Sequence, residues 1–423
     1  MRSQDALKQP FPYSLPKDKI KVLLLEGISE TAVKVFTAAG YTEIDRRTKA
    51  LDGAALREAL NGIRLLGIRS RTQITADAIE GIRSVVAIGC FSVGTNQVDL
   101  AACRTMGIPV FNAPFSNTRS VAELTIAETI MLMRRIFPKS TSAHAGGWDK
   151  SAVGANEVRG KTLGIVGYGN IGTQLAVLAE AIGMRVIYYD HTDKLQHGNV
   201  EPAASIGDLL AKADVVSLHV PETPATHGMI GTREIAQMKP GAILINNARG
   251  TVVDLGALAA ALREKRLAGA AIDVFPSEPS SNADAFTSPL QGLDNVILTP
   301  HVGGSTEEAQ ERIGAEVARK LVEYSDVGST AGAVNFPQVQ LSPRPAGTRF
   351  IQVQRNLPGE LGRLNEVFAR RKVNIAAQYY ETAGELGYVV LDADGTVPDA
   401  EDIVKEIRAL AGTIRARMLY RRS

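Results

Sequence analysis

Three isolated polar residues follow short apolar runs in the second half of the chain. They are Arg249 in NNARG, Glu278 in DVFPSEP and His301 in LTPHVGG. In open α/β sheets ligands bind at the carboxyl ends of the strands. An arginine there could orient a substrate carboxylate, a histidine could take a hydroxyl proton, and a glutamate could stabilise the charged ring. Spacing alone leaves another interpretation open, because the same residues could be a surface cation, a loop acid and a hydrogen-bonded histidine.

A glycine-rich turn precedes them in TLGIVGYGNIG. Gly167 would allow a tight turn, Gly169 would let backbone N–H groups approach a pyrophosphate, and Gly172 would permit close packing of a helix on a strand. Asp190 closes the next apolar run, at the spacing expected of the acid that binds a ribose 2′-hydroxyl. A plain β-α-β turn with a surface aspartate is the alternative. The combined pattern favours a dinucleotide, and the lack of arginine directly after Asp190 favours NAD over NADP.

Two series of short apolar runs, alternating with helical segments, must position these residues. The first series predicts strands over 20–25, 64–67, 85–88 and 109–111. A long helix over 120–135 then leads into a second series, with strands over 163–166, 185–189, 215–219, 242–245, 270–273 and 296–298. Both series are typical of parallel sheets joined by crossover helices, and six strands suit a complete dinucleotide-binding fold.

The last third of the chain predicts a return to the first unit and then a further domain. Ser305 and Glu308 have capping-box spacing, so a helix is expected to run to about Tyr324. Residues 326–347 carry no strand or helix period and predict a linker. Beyond them the order of elements is βαββαβ, which is ferredoxin-like. The predicted fold is therefore α/β, with two Rossmann-like doubly wound parallel-sheet domains and a C-terminal ferredoxin-like domain.

This organisation divides the chain into three predicted domains. Residues 1–116 and 305–340 would form a discontinuous substrate-binding domain. Residues 117–304 would form the Rossmann domain that binds NAD, and residues 348–423 would form a regulatory domain.

Composition excludes several classes of protein. The 423 residues include 47 Lys and Arg against 45 Asp and Glu, so the net charge of +2 gives no sign of a nucleic-acid partner. Two cysteines, Cys90 and Cys103, are too few for a disulfide framework and favour the cytoplasm. We expect no membrane association and no export, because no apolar run approaches the roughly 20 residues of a membrane helix. Histidine spacing does not match a metal site, so no metal is predicted.

Longer motifs connect these residues to a known family. GYGNIG, NNARG, DVFPSEP and LTPHVGGST resemble the D-isomer-specific 2-hydroxyacid dehydrogenases, and the resemblance covers nearly the whole chain. GIRSRTQIT, GCFSVGTNQVDL, FNAPFSNTRSVAEL and GTIRARMLY resemble the branch that acts on 3-phospho-D-glycerate, in its short bacterial form with one C-terminal ACT domain. The resemblance implies NAD-dependent oxidation of 3-phosphoglycerate to 3-phosphooxypyruvate, the first step of L-serine biosynthesis. Reduction of 2-oxoglutarate is a further activity that the same residues could support.

The resemblance also assigns roles to individual residues. It implies that Arg249, Glu278 and His301 are catalytic, and that Arg69 and Arg71 face the substrate anions together with Arg249. Besides the glycines and Asp190, the implied dinucleotide contacts are Asn170, Ile171, Asn247, Ala248, Arg249, Asp273, His301, Val302, Gly303 and Gly304.

Assembly and regulation follow from the same resemblance. Trp148, the only tryptophan, with Lys150 beside it, is expected to reach into a neighbouring subunit of a homotetramer; a local surface anchor is the alternative. Asn356 and Asn374 match positions that hold an amino-acid effector, L-serine, between two ACT domains. Gln354 stands where serine-inhibited relatives carry histidine, so serine binding could be weaker, altered or absent here.

Two other functions remain open from the sequence. Another D-2-hydroxyacid dehydrogenase, acting on glycerate or hydroxypyruvate, is disfavoured by the paired Arg69 and Arg71 and by the ACT-like tail. A non-catalytic, NAD-sensing protein of the corepressor type is disfavoured by the complete set of Arg249, Glu278 and His301.

Overall fold

The computed structural model describes residues 16–279, 284–342, 347–394, 397 and 399–419. The chain divides into two compact units, one within Met1–Ser116 and Gln310–Ser423 and the other Asn117–Ala309. Residues 1–15, which belong to the predicted first domain, lie outside the described part of the chain. Among the described residues, no helix has the length and hydropathy needed to span a membrane.

The N-terminal part of the first unit is a parallel five-stranded sheet of order β2-β1-β3-β4-β5. The four predicted strands are present, and all four are buried because helices or other apolar elements cover both faces. The sequence pattern missed β2, an edge strand whose two charged residues face solvent. The elements are β1 Val22–Leu24, α1 Glu30–Ala38, β2 Ile44–Arg46, α2 Gly53–Ala59, β3 Leu65–Ile68, α3 Ala76–Ile79, β4 Ala87–Cys90, α4 Leu100–Thr105 and β5 Val110–Phe111.

The second unit is a parallel seven-stranded sheet of order β12-β11-β10-β9-β6-β7-β8. All six predicted strands are present, and the short edge strand β8 is additional. From β6 the chain adds strands toward one edge of the sheet, and from β9 it adds them toward the other edge. This places a topological switch point at the carboxyl ends of β6 and β9. The elements are α5 Thr118–Met133, α6 Ile136–His144, β6 Thr162–Val166, α7 Asn170–Ala181, β7 Arg185–Tyr189, β8 Glu201–Pro202, α8 Ile206–Lys212, β9 Val215–Leu218, α9 Thr232–Gln237, β10 Ile243–Asn246, α10 Leu255–Arg263, β11 Gly269–Ile272 and β12 Val296–Leu298.

A long helix, α11 (Glu307–Val327), follows the second sheet, and it confirms the helix expected after His301. The hydroxyl of Thr306 accepts the N–H of Ala309 at its start. The linker prediction was wrong for residues 328–341, because this stretch packs into the first unit. The Asn335 side chain accepts the N–H of Val110 at 2.8 Å and donates to the Ile108 carbonyl at 3.0 Å. Polar side chains thus satisfy backbone groups without a regular strand, so no period was visible.

The C-terminal residues form an antiparallel sheet of order β14-β15-β13-β16 with βαββαβ connectivity. Phe350 and its neighbours pack on one face with the two helices. Ile351 and Val353 on the other face share a core with α11 and the first sheet. This completes the predicted α/β fold of two parallel sheets and a ferredoxin-like sheet, which is confirmed. The elements are β13 Thr348–Arg355, α12 Glu360–Arg370, β14 Ile375–Ala383, β15 Leu386–Ala393, α13 Ala400–Ala409 and β16 Thr413–Leu419.

Candidate active site

The glycine turn after β6 has the geometry that a dinucleotide requires. Gly167 has a φ of +94°, and a Cβ there would lie 2.5 Å from the carbonyl oxygen of His219. A Cβ on Gly172 would overlap the carbonyl oxygen of Gly167, so the start of α7 can pack closely on the turn only without a side chain. A Cβ on Gly169 would meet nothing within 4 Å. The N-terminus of α7 is therefore open to an anion such as a pyrophosphate.

Asp190 follows β7 and closes the same turn. Its Oδ2 accepts the N–H of Tyr168 at 2.9 Å, and its Oδ1 accepts both the N–H and the hydroxyl of Thr192. Burial by itself would raise the pKa of Asp190, but these hydrogen bonds hold the pKa below its ordinary value. An ionised carboxylate at the end of the second strand of the dinucleotide unit suits a ribose hydroxyl and opposes a phosphate.

His301 lies in a loop after β12 that a buried aspartate holds in place. Its backbone has a φ of +54°, and its N–H donates to the carbonyl oxygen of Asp273 at 2.8 Å. The Asp273 carboxylate accepts the N–H groups of Val302 and Gly303, each at 2.8 Å, and the hydroxyl of Thr299 at 2.6 Å. Such a left-handed, non-glycine conformation persists only where the surroundings fix it. Asp273 supplies that constraint.

Glu278 and His301 form a hydrogen-bonded pair. Nδ1 of His301 lies 2.9 Å from Oε2 and 3.1 Å from Oε1 of Glu278. The hydrogen bond to Glu278 raises the pKa of His301, and the charges of Glu278 and Asp273 add to this effect. Burial by itself would raise the pKa of Glu278, but the hydrogen bond and charge of His301 hold it below its ordinary value. Because a carboxylate only accepts, Nδ1 carries the proton and Nε2 is the basic nitrogen of the neutral ring.

Arg249 follows β10, next to the strand from which Asp273 and Glu278 come. Its charge lowers the pKa of both His301 and Glu278, so the guanidinium lies within electrostatic range of that pair. Its own Nη1 donates to the Ala248 carbonyl at 2.6 Å. A Cβ on Gly250 would overlap the backbone of Phe275, so this glycine lets the Arg249 loop lie against the segment that leads to Glu278.

The side chain of Asn247 points toward α5. Its Nδ2 donates to Oε2 of Glu128 at 2.7 Å and to the hydroxyl of Thr125 at 3.0 Å. Burial raises the pKa of Glu128 to about 8, with a smaller contribution in the same direction from Asp273. The Asn247 amide therefore joins the loop before Arg249 to a buried carboxyl on α5. A direct contact between the cofactor and Asn247 stays a prediction.

Sequence reasoning missed several residues that shape these loops. Asn246 is fully buried and bridges its own turn, donating to the Arg249 carbonyl and accepting the N–H of Ala248. Thr299 and Glu128 were also missed. Asn246 and Thr299 lie within the motifs NNARG and LTPHVGG, but a polar residue at the end of an apolar run gives no indication of which backbone groups it binds.

His219 follows β9, and the sequence alone does not assign it a role. Its Nε2 lies 2.8 Å from the Ser217 hydroxyl, and burial lowers the pKa of the ring to about 3. The ring is therefore neutral, and the carbonyl oxygen of His219 lies against Gly167.

Arg69 and Arg71 lie in the other unit, directly after β3. Arg69 is half-buried and Arg71 is exposed. The side chains of Glu26 and Gln97 bind the backbone of their loop.

Trp148 is 86% exposed, in a segment after α6. Lys139 holds this segment by donating to the Asp149 carboxylate at 3.2 Å and to the Ser151 carbonyl at 2.7 Å. Lys150 is exposed beside it. The indole therefore leaves a large apolar surface exposed to solvent in the single chain.

The predicted effector residues have different environments. Asn356 donates to the Gly384 carbonyl at 3.0 Å and accepts the Tyr380 hydroxyl at 3.3 Å. Asn374 is exposed and donates to Asp394 at 2.6 Å. Gln354 is fully buried, and neither polar atom of its side chain has a partner among the described residues. A buried amide without partners is destabilising, and both polar atoms of Gln354 are able to form a hydrogen bond with a further group.

Comparison with known proteins agrees with this geometry. A family model described as the NAD binding domain of D-isomer specific 2-hydroxyacid dehydrogenases matches residues 126–303. A second model, the AHAS small subunit-like ACT domain, matches residues 351–415.

In the described part of the chain, no group of three or more His, Cys, Asp or Glu residues could hold a metal ion.

Relatives match over almost the full length. The D-3-phosphoglycerate dehydrogenase of Escherichia coli (strain K12) is 56% identical over 407 residues, which cover 96% of this chain and 99% of the relative. The D-3-phosphoglycerate dehydrogenase of Haemophilus influenzae is 54% identical, with the same coverage of both chains. The structure of D-lactate dehydrogenase from Aquifex aeolicus complexed with NAD and lactic acid is 29% identical and matches with a TM-score of 0.64, covering 72% of this chain and 95% of that one.

The chain therefore belongs to the family of D-isomer-specific 2-hydroxyacid dehydrogenases, and it is an enzyme that uses a nicotinamide dinucleotide. Within that family it belongs with the D-3-phosphoglycerate dehydrogenases, and it carries an ACT domain at its C-terminal end.

Proposed function

We propose that this enzyme oxidises 3-phospho-D-glycerate to 3-phosphooxypyruvate with NAD, the reaction that opens L-serine biosynthesis. The observation that carries the proposal is the 2.9 Å pair of His301 Nδ1 and Glu278, next to Arg249 at the carboxyl ends of parallel strands. The name shared by the full-length relatives selects this substrate from the 2-hydroxy acids that such a site could oxidise.

His301 acts as the base in the oxidation. Its Nδ1 proton is engaged by Glu278, so Nε2 takes the proton of the C2 hydroxyl while the C2 hydrogen leaves as hydride and the carbon–oxygen double bond forms. Glu278 stabilises the resulting imidazolium. The nicotinamide, when bound, supplies the acceptor for the hydride. In the reverse direction the protonated His301 returns its proton to the oxygen.

Arginines bind the anionic groups of the substrate. Arg249 binds the carboxylate and the 2-oxygen, because a guanidinium presents paired donors that match a carboxylate. Arg69 and Arg71 bind the remaining anionic groups. The same Arg249 side chain could serve reduction of 2-oxoglutarate, which is the second activity we propose to test.

The cofactor is NAD rather than NADP. The open N-terminus of α7, with Asn170 and Ile171, receives the pyrophosphate, and Asp190 binds the ribose hydroxyls. A 2′-phosphate would face the ionised Asp190. The backbone of Asn247 to Arg249, Asp273, and the loop from His301 to Gly304 complete the proposed contacts.

The ACT domain binds an amino-acid effector, which we propose is L-serine. Asn356 and Asn374 bind it, with Gln354 nearby.

Trp148 and Lys150 join subunits of a homotetramer. In domain terms, the proposal assigns substrate binding to residues 1–116 and 305–340, NAD binding to 117–304 and regulation to 348–423.

A substrate panel tests the proposal. Purified protein is incubated with NAD and, in turn, 3-phosphoglycerate, D-glycerate and D-lactate, and NADH absorbance is followed. We expect turnover with 3-phosphoglycerate to exceed that with either unphosphorylated acid. A preference for D-glycerate would indicate another 2-hydroxyacid dehydrogenase. NADH binding without turnover of any acid would indicate a sensor of the corepressor type.

A further inference from the structure

We infer that Glu26 is the positioning residue of the substrate-binding loop, holding Arg69 and Arg71 through their own backbone. Glu26 is 9% exposed and follows β1, and the arginines follow the neighbouring strand β3. The inference rests on the proposed role of the two arginines in binding substrate.

The Glu26 carboxylate accepts three backbone N–H groups of this loop, those of Arg69, Arg71 and Thr72. Its Oε1 accepts the N–H of Arg69 at 3.1 Å and that of Thr72 at 2.9 Å, and its Oε2 accepts the N–H of Arg71 at 2.9 Å. Successive amides that converge on one anion form a compact, rigid arrangement. Both arginines are therefore fixed at their backbone nitrogen, and the residue that follows Arg71 is fixed as well.

Other contacts hold the same arrangement from both sides. Glu26 itself has a left-handed backbone, with a φ of +61°, which is uncommon outside glycine. Nη1 of Arg69 lies 3.4 Å from the Glu26 carbonyl oxygen, and the buried Gln97 side chain donates to the Arg69 carbonyl. The loop is thus held at three amides, at the Arg69 carbonyl and at the Arg69 guanidinium.

The second unit uses the same device at the catalytic histidine. There the buried Asp273 carboxylate accepts the N–H groups of Val302 and Gly303, and the residue it positions, His301, is left-handed. In each unit a buried acid binds the amides of a loop that carries a functional cation or acid–base group. Because misplacing a binding group by about 1 Å can cost 10²-fold in rate, a fixed loop has a functional value beyond stability.

Glu26→Gln tests the inference with little change in volume. One carboxylate oxygen becomes an NH₂ group, which faces a loop amide as donor against donor. We expect faster hydrogen exchange at the amides of 69, 71 and 72 and a KM for 3-phosphoglycerate raised about tenfold. The KM for NAD and the affinity for NADH should not change. Glu180→Gln is the matched control, since Glu180 also accepts a backbone N–H, that of Asn199 at 2.9 Å.

Two variants separate failure of the inference from failure of the proposed function. Arg69→Ala and Arg71→Ala should each raise the same KM. If they do and Glu26→Gln does not, Glu26 has only a structural role and the inference is wrong. If neither arginine variant changes the KM, the proposed substrate role of the loop is wrong, and the inference falls with it. Fast exchange at these amides in the unmodified enzyme would overturn the inference even if Glu26→Gln did not fold.

Discussion

Glu278 accepts a hydrogen bond from the Nδ1–H of His301, with 2.9 Å between Nδ1 and Oε2. The two residues lie in loops that follow different strands, β11 and β12. The pair fixes which ring nitrogen can exchange a proton with substrate. It also makes the protonation of the ring depend on a second residue, which leads to a prediction about pH.

Replacing Glu278 by Gln should move the pH profile to lower pH. Glu278 raises the pKa of His301, so its removal lowers that pKa. Oxidation needs the neutral ring, and its acid limb should therefore begin at lower pH. Reduction needs the charged ring, so its alkaline limb should shift in the same direction. Rates measured in both directions between about pH 5 and 9 test this, around the ordinary histidine pKa of about 6.5.

Glu234→Gln serves as the control for that experiment, because Glu234 caps α9 by accepting the N–H of Gly231. Its pH profile should match that of the unmodified enzyme. An unshifted profile in Glu278→Gln would leave Glu278 without a role in proton transfer.

Asp190→Ala should narrow the preference for NAD. Asp190 is held ionised by the hydrogen bonds from Thr192 and Tyr168, so it repels a 2′-phosphate. Its removal should weaken NAD binding and improve use of NADP relative to NAD by roughly tenfold, a typical effect of one nearby charge in a partly solvated site. The ratio of kcat/KM for the two cofactors measures this. Equal use of both cofactors by the unmodified enzyme would refute the assignment of Asp190.

Much of the fold and of the candidate site was predictable, because parallel strands give continuous apolar runs and the active-site motifs lie at their ends. The strand β2 and the segment 328–341 were not, since exposed charges on an edge strand and polar side chains such as Asn335 hide the period. The supporting role of two acids was not predicted for another reason. Asp273 and Glu26 bind the backbone amides of residues far away in the chain. Because nearly every residue has a backbone N–H, the sequence does not indicate which ones are bound.

Trp148→Ala should weaken subunit association. The side chain is 86% exposed in the single chain, and burial of a large aromatic commonly contributes a dominant share of interface energy. We expect the variant to have a lower mass by light scattering at micromolar concentration. The thermal unfolding of the dissociated subunits should remain cooperative. Leu195→Ala, at an exposed apolar residue of the same unit outside the Trp148 segment, is a control for loss of surface area. An unmodified enzyme that is monomeric at that concentration would refute the assembly.

Serine should inhibit the enzyme, and Asn356→Ala should relieve the inhibition. The Asn356 amide both donates and accepts, which suits an α-amino acid, and its loss removes both contacts. Point variants of the full chain are the right probe, because Ile351, Val353 and Tyr388 of the ACT sheet share a core with the first unit. The initial rate is titrated with L-serine up to millimolar concentration. Full activity at saturation would assign the ACT domain to assembly or to another ligand.

The most direct test of the account is the rate of NADH formation from 3-phosphoglycerate by the unmodified enzyme and by His301→Asn, with NADH affinity measured on the same samples. We predict that the unmodified enzyme turns the substrate over, and that the variant is slower by about 10² to 10⁴ because it lacks the base. NADH affinity should be retained. Near-normal turnover by His301→Asn would contradict the assignment of His301 as the acid–base group.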